Sequence, residues 1–340
     1  MIGFLKRHWF LVGLIVLIPL GAGLGQAGPP PWAVSGVRSI PTSVCTAAIL
    51  FFMSVTLNSG RLFESIRRPI PVMLSCGVNQ IAIPLLCLPL LMLQKSEDMR
   101  VGLLIAASVP CTMAAASVWT RRAGGNDAVS LLVTLLTNGL CFLVTPAWMS
   151  IGARWFGTSD TAAGLGFQSM MIRLLFAALL PALLGQLLRI SQPIREFVDR
   201  NKPVFSSAAQ CIILTLVFVS SFRGGLGFQE EGMSQNLRHL EFVAVWACCI
   251  GLHFAAMGLM WCLTGIIRMS EADRRACVFC GSQKTLPIGI LVSQATGLPF
   301  SLLPMLMYHA SQLFIDTWIA DQLKKRDATE VEPEKSCSIG

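Results

Sequence analysis

The residues whose types could do chemistry are polar side chains set inside long apolar runs. The densest group lies in the run FCGSQKTL, residues 279–286, and consists of Cys280, Ser282, Gln283, Lys284 and Thr285. A lysine at the centre of such a run is unfavourable in lipid and typically faces a protein interior or a wet cavity. Lys284 could hold an anion, exchange a proton, or cap carbonyl groups freed by a helix break. The sequence leaves these roles open.

A second polar group follows helical spacing. Ser130, Thr134 and Asn138 recur every four residues and therefore share one face of a helix. Asn79 and Gln80 form a polar pair midway along another apolar run. Oxygens of these types either link helices or coordinate a cation. Each could merely bond to its own helix, but their number favours an ion-binding site.

The last apolar run carries a polar face of its own. His309, Gln312 and Asp316 follow at spacings of three and four residues, which places them on one side of a helix. Asp316 is a plausible counter-charge for Lys284, so that Lys284, His309 and Asp316 could relay a proton. His253, in a separate run, is expected to be an interhelical hydrogen-bond donor instead.

The composition of the whole chain indicates where these residues must lie. Of its 340 residues 54% are hydrophobic and 13% are charged, whereas about a quarter are charged in ordinary soluble proteins. No soluble fold of this length buries so much apolar side chain, so we expect a polytopic membrane protein in a lipid bilayer. The net charge of +8 is dispersed between the apolar runs, which argues against a nucleic acid partner.

A helix needs ~20 mostly apolar residues to cross a bilayer. Ten runs qualify, at about 8–25, 42–60, 70–94, 101–121, 127–153, 167–190, 204–223, 240–267, 273–296 and 300–323. With a cytoplasmic N-terminus, eighteen Lys and Arg residues fall on the cytoplasmic side and six on the other, as the positive-inside rule requires. We therefore expect both termini in the cytoplasm. The first run is interpreted as a retained helix, because it exceeds the usual apolar core of a signal peptide.

Ten helices divide into five plus five, and an odd number per half makes the second half inverted relative to the first. The fourth and ninth helices then correspond, and both are interrupted. Pro110 breaks the fourth, whereas the ninth carries Gly281 and then Pro287 and Gly289. Matched breaks at membrane depth favour a substrate site. Two kinked structural helices are the alternative.

The twelve cysteines favour no metal or redox centre. Most stand inside apolar runs, where free cysteine behaves as a small hydrophobic residue. Cys277 and Cys280 have CxxC spacing, but no second pair and no histidine follow at zinc spacing. No paired carboxylates, histidine cluster or nucleophile with its base stands within the runs. We therefore expect a protein that is not an enzyme and has no organic cofactor.

Several motifs resemble the bile acid:sodium symporter family, in particular its sodium/bile acid cotransporter 7-like (SBF-like) branch. They are VPCT at 109–112, TRRAGGN at 120–126, the stretch from Ser130 to Thr134, FCGSQKTL at 279–286 and MYH at 307–309. The resemblance spans nearly the whole chain, and FCGSQKTL and GGN are fairly specific. It implies an all-α membrane protein of ten transmembrane helices in two inverted five-helix repeats, with crossed discontinuous helices 4 and 9.

The resemblance also implies a division of the chain. Residues 1–166 would form the first repeat, 167–323 the second, inverted repeat and 324–340 a cytoplasmic tail. Helices 3–5 and 8–10 would form a core domain, and helices 1, 2, 6 and 7 a flatter panel domain. An organic anion would then be carried by alternating access, driven by sodium.

The family's sodium-binding residues match this sequence only in part. A Ser-Asn pair that follows the break in the fourth helix falls on Ala116 and Ser117, so one ligand is lost. The serine and threonine of the fifth helix match Ser130 and Thr134, and a glutamine of the third helix falls on Asn79. The resemblance therefore implies that a sodium ion could bind at Ser117, Ser130 and Thr134.

The ninth helix departs from the family pattern. The glutamate that serves both sodium ions falls near Cys280, and a glutamine four residues later falls near Lys284. Because like charges at ~4 Å repel by several kcal/mol in a low-dielectric site, Lys284 could occupy the space of one sodium ion. The candidate ion- and substrate-binding residues are Asn79, Gln80, Thr112, Ser117, Asn126, Ser130, Thr134, Cys280, Ser282, Gln283, Lys284 and Thr285.

These observations predict a secondary active transporter of a small organic anion in the inner or plasma membrane, coupled to sodium or to protons. A proton-coupled or uncoupled carrier with Lys284 in place of an ion is one alternative. An arsenite-efflux-type carrier is another, because Cys111 stands in the broken fourth helix. A channel or regulatory membrane protein without transport is a third, and the matched breaks argue against it.

Overall fold

The structure is a computed structural model that describes residues 9–57, 69–113, 115–156, 166–230 and 235–336. Within these ranges every regular element is a helix. Some of the basic residues counted for orientation lie outside the described residues, namely Lys6, Arg7, Arg61, Arg67 and Arg68. The side chains of Arg238 and Lys335 and the end of the predicted tail lie outside them as well.

Fourteen helices are described in these ranges. The first seven are α1 Trp9–Gln26, α2 Pro31–Ser39, α3 Thr42–Val55, α4 Pro69–Leu91, α5 Glu97–Ser108, α6 Ala115–Arg122 and α7 Asp127–Phe156. The others are α8 Phe167–Leu188, α9 Gln192–Arg200, α10 Lys202–Glu230, α11 Gln235–Ile266, α12 Glu271–Ser282, α13 Leu286–Thr296 and α14 Leu303–Ser336.

Six helical segments are long and apolar enough to cross a membrane, and a seventh is added if α2 and α3, bent by 46°, form one span. They are α4, α7, α8, α10, α11 and the span Glu271–Thr296, which consists of α12, a break at 283–285 and α13. The chain is therefore a polytopic membrane protein. The apolar part of Glu271–Thr296 is completely buried inside the protein, whereas only 22–56% of the apolar part is buried in each of the other five segments. This broken segment thus lies at the centre of the helix bundle.

Three segments between or after the predicted spans are helical. Residues 31–39 and 192–200 form α2 and α9, and each has a proline in its first turn, where the missing N–H leaves no bond unmade. The predicted polar tail also begins as helix, because α14 continues from the last apolar run through Ser336.

Helices α1 and α10 approach each other closely through small residues. A Cβ atom added to Gly25 would overlap the carbonyl oxygen of Phe222, and one added to Gly225 would overlap that of Ala22. Gly23, on the same helix as Gly25, has open space around it. Glycine at these contacts allows the two backbones to pack directly, as is typical of helices in membranes.

Helix α4 contains a π-helical segment, Val78–Ala82, at the polar pair Asn79 and Gln80. Pro84 has no N–H to donate to the carbonyl group of Gln80, four residues earlier. Trp148 supplies the missing donor, with its Nε1 atom 2.8 Å from the Gln80 oxygen. The interruption rotates the polar pair into the protein, where both residues are buried.

Candidate functional site

The breaks of two helices meet in the protein interior. Helix α5 ends at Ser108 before Pro110, and α12 ends at Ser282 before Pro287. In each case the residue after the helix is extended, and at Val109 the proline that follows requires this. The backbone N–H of Thr285 donates to the Pro110 carbonyl oxygen at 2.9 Å. The interruptions that the sequence predicts therefore lie against each other, and this region is called the helix junction below.

Side chains satisfy the carbonyl groups freed at the end of α12. Asn79 Nδ2 donates to the oxygens of Gln283 at 2.8 Å and Cys280 at 3.2 Å. The hydroxyl group of Tyr308 donates to Ser282 O at 2.8 Å. Gln312 forms two bonds with the backbone of Lys284, one to its N–H and one to its carbonyl group, both at 2.9 Å. Tyr308, the only tyrosine of the chain, was not among the candidate site residues predicted from the sequence.

The freed carbonyl groups after α5 are satisfied in the same way by α7. Asn138 Nδ2 donates to Cys111 O at 2.8 Å, and Thr134 Oγ1 to Thr112 O at 3.2 Å. The four-residue spacing of these side chains thus presents both to one irregular segment. Since unsatisfied carbonyl groups are tolerated in membranes only where protein or water meets them, the polar face of α7 stabilises the break.

Lys284 occupies the centre of the helix junction and is completely buried. Its Nζ atom donates to the carbonyl oxygens of Asn79 at 2.6 Å and Val109 at 2.9 Å, with Asn79 Oδ1 at 3.4 Å. In the part of the chain that the structure describes, no carboxylate forms an ion pair with it. The ammonium group therefore lies among oxygens from α4 and from the break after α5, as a bound cation would.

Asp316 is hydrogen-bonded to other partners than Lys284. Its two oxygens lie 2.9 Å from His253 Nε2 and 2.5 Å from Gln283 Nε2. Gln283 in turn accepts a bond from the Thr112 hydroxyl group at 2.6 Å. His253 is thus an interhelical partner, as expected. The expected contact between Asp316 and its counter-charge Lys284 is absent from the described residues. Both carboxylate oxygens of Asp316 bind other side chains, one His253 and the other Gln283.

His309 lies beside the backbone of Lys284 rather than its ammonium group. Its Nδ1 atom is 3.4 Å from Lys284 O and 2.8 Å from Gln312 Nε2. No hydrogen bond joins the side chains of Lys284, His309 and Asp316 to one another in the described residues. The three proposed relay residues therefore lie around one break without forming a continuous chain.

The side chains proposed to hold sodium differ in their hydrogen bonding. Ser117 donates a short hydrogen bond to the Asp127 carboxylate. The hydroxyl groups of Ser130 and Thr120 are buried without a nitrogen or oxygen partner, and both lie beside the Cys280 thiol group. The Ser117 hydroxyl proton is thus taken up by Asp127, whereas the hydroxyl groups of Ser130 and Thr120 have no nitrogen or oxygen partner, and all three oxygens keep lone pairs for a cation. Thr120 was not among the sequence candidates.

Asn126 lies away from the helix junction. Its side chain donates to Asp273 Oδ1 at 2.7 Å, and its N–H donates to Ala272 O at 2.8 Å. Asp273 stands nine residues before Ser282 on α12, which corresponds to ~14 Å along a helix. Asn126 therefore joins the beginnings of α7 and α12, because the GGN turn delivers it there rather than to the break.

The chain is similar to known proteins along nearly its whole length. A family model described as the SBF-like CPA transporter family matches residues 8–325. Sodium/bile acid cotransporter 7 of Danio rerio is 24% identical over 94% of each chain, and that of Rattus norvegicus is 22% identical over 94% of this chain and 93% of the relative. The probable sodium/metabolite cotransporter BASS4, chloroplastic, of Arabidopsis thaliana is 25% identical over 90% of this chain and 71% of that protein.

The family match covers every element that builds the helix junction, from α4 to the polar face of α14. The relatives are named as cotransporters, so they indicate transport across a membrane and not an enzymatic reaction. The resemblance found in the VPCT, TRRAGGN and FCGSQKTL motifs is confirmed. Because the family model matches residues 8–325, this chain is a member of the SBF-like CPA transporter family.

Proposed function

We propose that this protein is a secondary active transporter that carries a small organic anion by alternating access at the helix junction. The observation that carries the proposal is the meeting of two helix breaks around a completely buried lysine, in a chain of a transporter family. The names of the relatives, cotransporters of sodium with bile acids or metabolites, support an organic solute as substrate.

The proposed transporter has ten membrane spans in two inverted repeats, 1–166 and 167–323, with both termini in the cytoplasm of the cell and helices 3–5 and 8–10 as its core. The two broken helices support this symmetry. Both α5 and α12 have 12 residues, and each begins after a serine whose side chain accepts a hydrogen bond from the helix. Acidic residues follow in both first turns. Corresponding lengths, caps and breaks are what inverted repeats produce.

The positive charge of the junction suits an anion. Helix α13 begins at Leu286, immediately after the break, and its N-terminus carries a partial positive charge. Lys284 adds a full charge when protonated. Half-helix N-termini hold anionic substrate groups in transporters with broken helices, so the beginning of α13 is the proposed substrate contact.

We propose that Lys284 takes the place of one coupling cation. Its ammonium group donates hydrogen bonds of 2.6 and 2.9 Å to two backbone oxygens, and carbonyl oxygens are also ligands of hard cations. A mobile sodium ion, where one binds, would use the oxygens near Ser130 and Thr134, with Ser117. Proton coupling through Lys284 is the second candidate, and the complete burial of this lysine without a carboxylate partner in the described chain favours it.

Uptake by purified protein in liposomes tests the function. We expect radiolabelled taurocholate or succinate to accumulate when an inward sodium or proton gradient is imposed, and we expect Lys284→Ala to lose this accumulation. A gradient of choline serves as the control. If neither gradient drives accumulation of either anion, the proposed function is wrong.

A further inference from the structure

A polar cavity lies at the C-terminal end of α13. Its volume is about 480 Å³, within the range of small-molecule sites. Its polar lining comes from three helices and consists of Arg38 of α2, Ser220 and Arg223 of α10, and Ser293 and Gln294 of α13. Gln294 stands ten residues after Lys284, which corresponds to ~15 Å along a helix. The cavity is therefore separate from the helix junction but lies against the same broken helix.

The cavity carries two positive charges, those of Arg38 and Arg223. Neither Arg38 nor Arg223 takes part in an ion pair found among the described residues. Arg223 Nη2 donates to Val37 O at 2.9 Å, which fixes this guanidinium group next to the residue that bears the other. Guanidinium groups bind carboxylate and related oxyanions with two parallel hydrogen bonds. The Nε atom of Arg223 is buried and has no partner.

Other polar atoms at the cavity also lack partners. Both the amide nitrogen and the amide oxygen of Gln294 are buried without a hydrogen bond, and so is the Ser220 hydroxyl group. A buried polar atom left unsatisfied costs about 1–3 kcal/mol, and such atoms are normally paired with protein, water or a ligand. Four unpaired polar atoms of three side chains, Arg223, Ser220 and Gln294, therefore surround one cavity and indicate a site completed by something polar.

We propose that this cavity binds a small organic dianion, such as a dicarboxylate. Arg38 and Arg223 would each hold one anionic group, Gln294 and Ser220 would complete the hydrogen bonds, and Leu226 and Leu302, which also line the cavity, would pack against the carbon skeleton. The inference rests on the proposed transport function, for which it assigns a dianion as substrate and a selection site near the end of α13.

Calorimetric titration of the detergent-purified protein with choline succinate tests the site. We expect Arg38→Gln and Arg223→Gln each to raise the dissociation constant at least tenfold, and Gln294→Ala to raise it severalfold. Choline propionate, a monoanion of similar chemistry, should bind at least tenfold more weakly. Arg195→Gln, which removes an exposed arginine of α9, is the matched control and should leave succinate affinity unchanged.

Two outcomes would overturn the inference. Equal affinities of wild type, Arg38→Gln and Arg223→Gln would exclude the cavity as the anion site. Displacement of succinate by phosphatidylglycerol but not by phosphatidylcholine in nanodiscs would assign the cavity to a lipid headgroup. Measurements of uptake by the variants distinguish failure of this inference from failure of the proposed function. Accumulation that responds to Lys284→Ala but not to either arginine variant refutes only the cavity, whereas succinate binding without any accumulation refutes only transport.

Discussion

Lys284 shows how one residue can serve two helices. Its ammonium group satisfies carbonyl oxygens on α4 and in the break after α5, while its own backbone is held by Gln312. A single side chain thereby joins the helix junction to the interrupted segment of α4. Because the oxygens are backbone atoms, a variant that removes the charge leaves them available to another cation.

Asn79 holds the break after α12 and is expected to be important for stability. Asn79→Ala leaves the carbonyl oxygens of Gln283 and Cys280 without their side-chain donor, and we expect a loss of about 2–4 kcal/mol, since each buried unsatisfied group costs about 1–3 kcal/mol. Thermal unfolding in detergent measures it. Asn201→Ala, which removes one exposed side-chain bond to Phe197, should cost much less, and equal losses would contradict the role assigned to Asn79.

At the scale of helices, close packing of α1 on α10 depends on single glycines. Gly25→Ala and Gly225→Ala should each destabilise the protein by about 1–3 kcal/mol, because the added Cβ atom overlaps a backbone oxygen of the facing helix. Gly23→Ala is the matched control, since nothing lies within 4 Å of its Cβ position. Thermal unfolding of all three variants tests this contact, and a Gly23 variant as unstable as the others would refute it.

The extension of α14 is tied to the beginning of α12. Arg275 contacts Asp327 through two hydrogen bonds of 2.6 and 2.7 Å and donates to Ala123 O at 2.7 Å. The guanidinium group lowers the pKa of the Asp327 carboxyl group below its ordinary value, chiefly by hydrogen bonding. Since the folded-state pKa is lowered, the pair stabilises the protein above about pH 4 and loses this effect as the pH falls through the folded-state value.

Asp327→Asn should therefore lower the unfolding temperature at pH 7, and the difference from wild type should be smaller at about pH 3, below the ordinary pKa of the carboxyl group. The expected effect is at most about 1 kcal/mol, because the pair is partly exposed and screened by solvent. Unfolding scans at both pH values measure it. Glu196→Gln removes an exposed pair with Arg200 at 3.7 Å and should show no such pH-dependent difference. A deficit for Asp327→Asn that persists unchanged at pH 3 would exclude the ion pair as its cause.

At the scale of the whole molecule, the sequence predicts the breaks better than the contacts around them. Proline and glycine weaken a helix, and Pro110 and Gly281 mark the two breaks, although Pro19, Pro89 and Pro146 stand inside continuous helices. A spacing of three or four residues places His309 and Asp316 on one face, but not the rotation of neighbouring helices. For this reason Asp316 meets Gln283 and His253 instead of Lys284.

The direction in which the chain leaves a turn is equally hard to predict from the sequence. Asn126 stands only four residues before Ser130, yet the positive φ of Gly124 turns the chain so that Asn126 reaches Asp273 at the opposite end of α12. The cavity beyond α13 was also not predicted, because its residues come from α2, α10 and α13, which are distant in sequence. Only packing brings them together.

The replacement of a cation by Lys284 is tested most directly by sodium-dependent stability. Thermal unfolding would be measured in sodium chloride and in choline chloride for wild type, Lys284→Gln, and Lys95→Gln as an exposed-lysine control. Lys284→Gln frees the oxygens of Asn79 and Val109, so we predict that sodium stabilises it more than wild type, by ~2.7 kcal/mol at a hundred times the dissociation constant. Lys95→Gln should match wild type. An identical sodium response in wild type and Lys284→Gln would contradict the account.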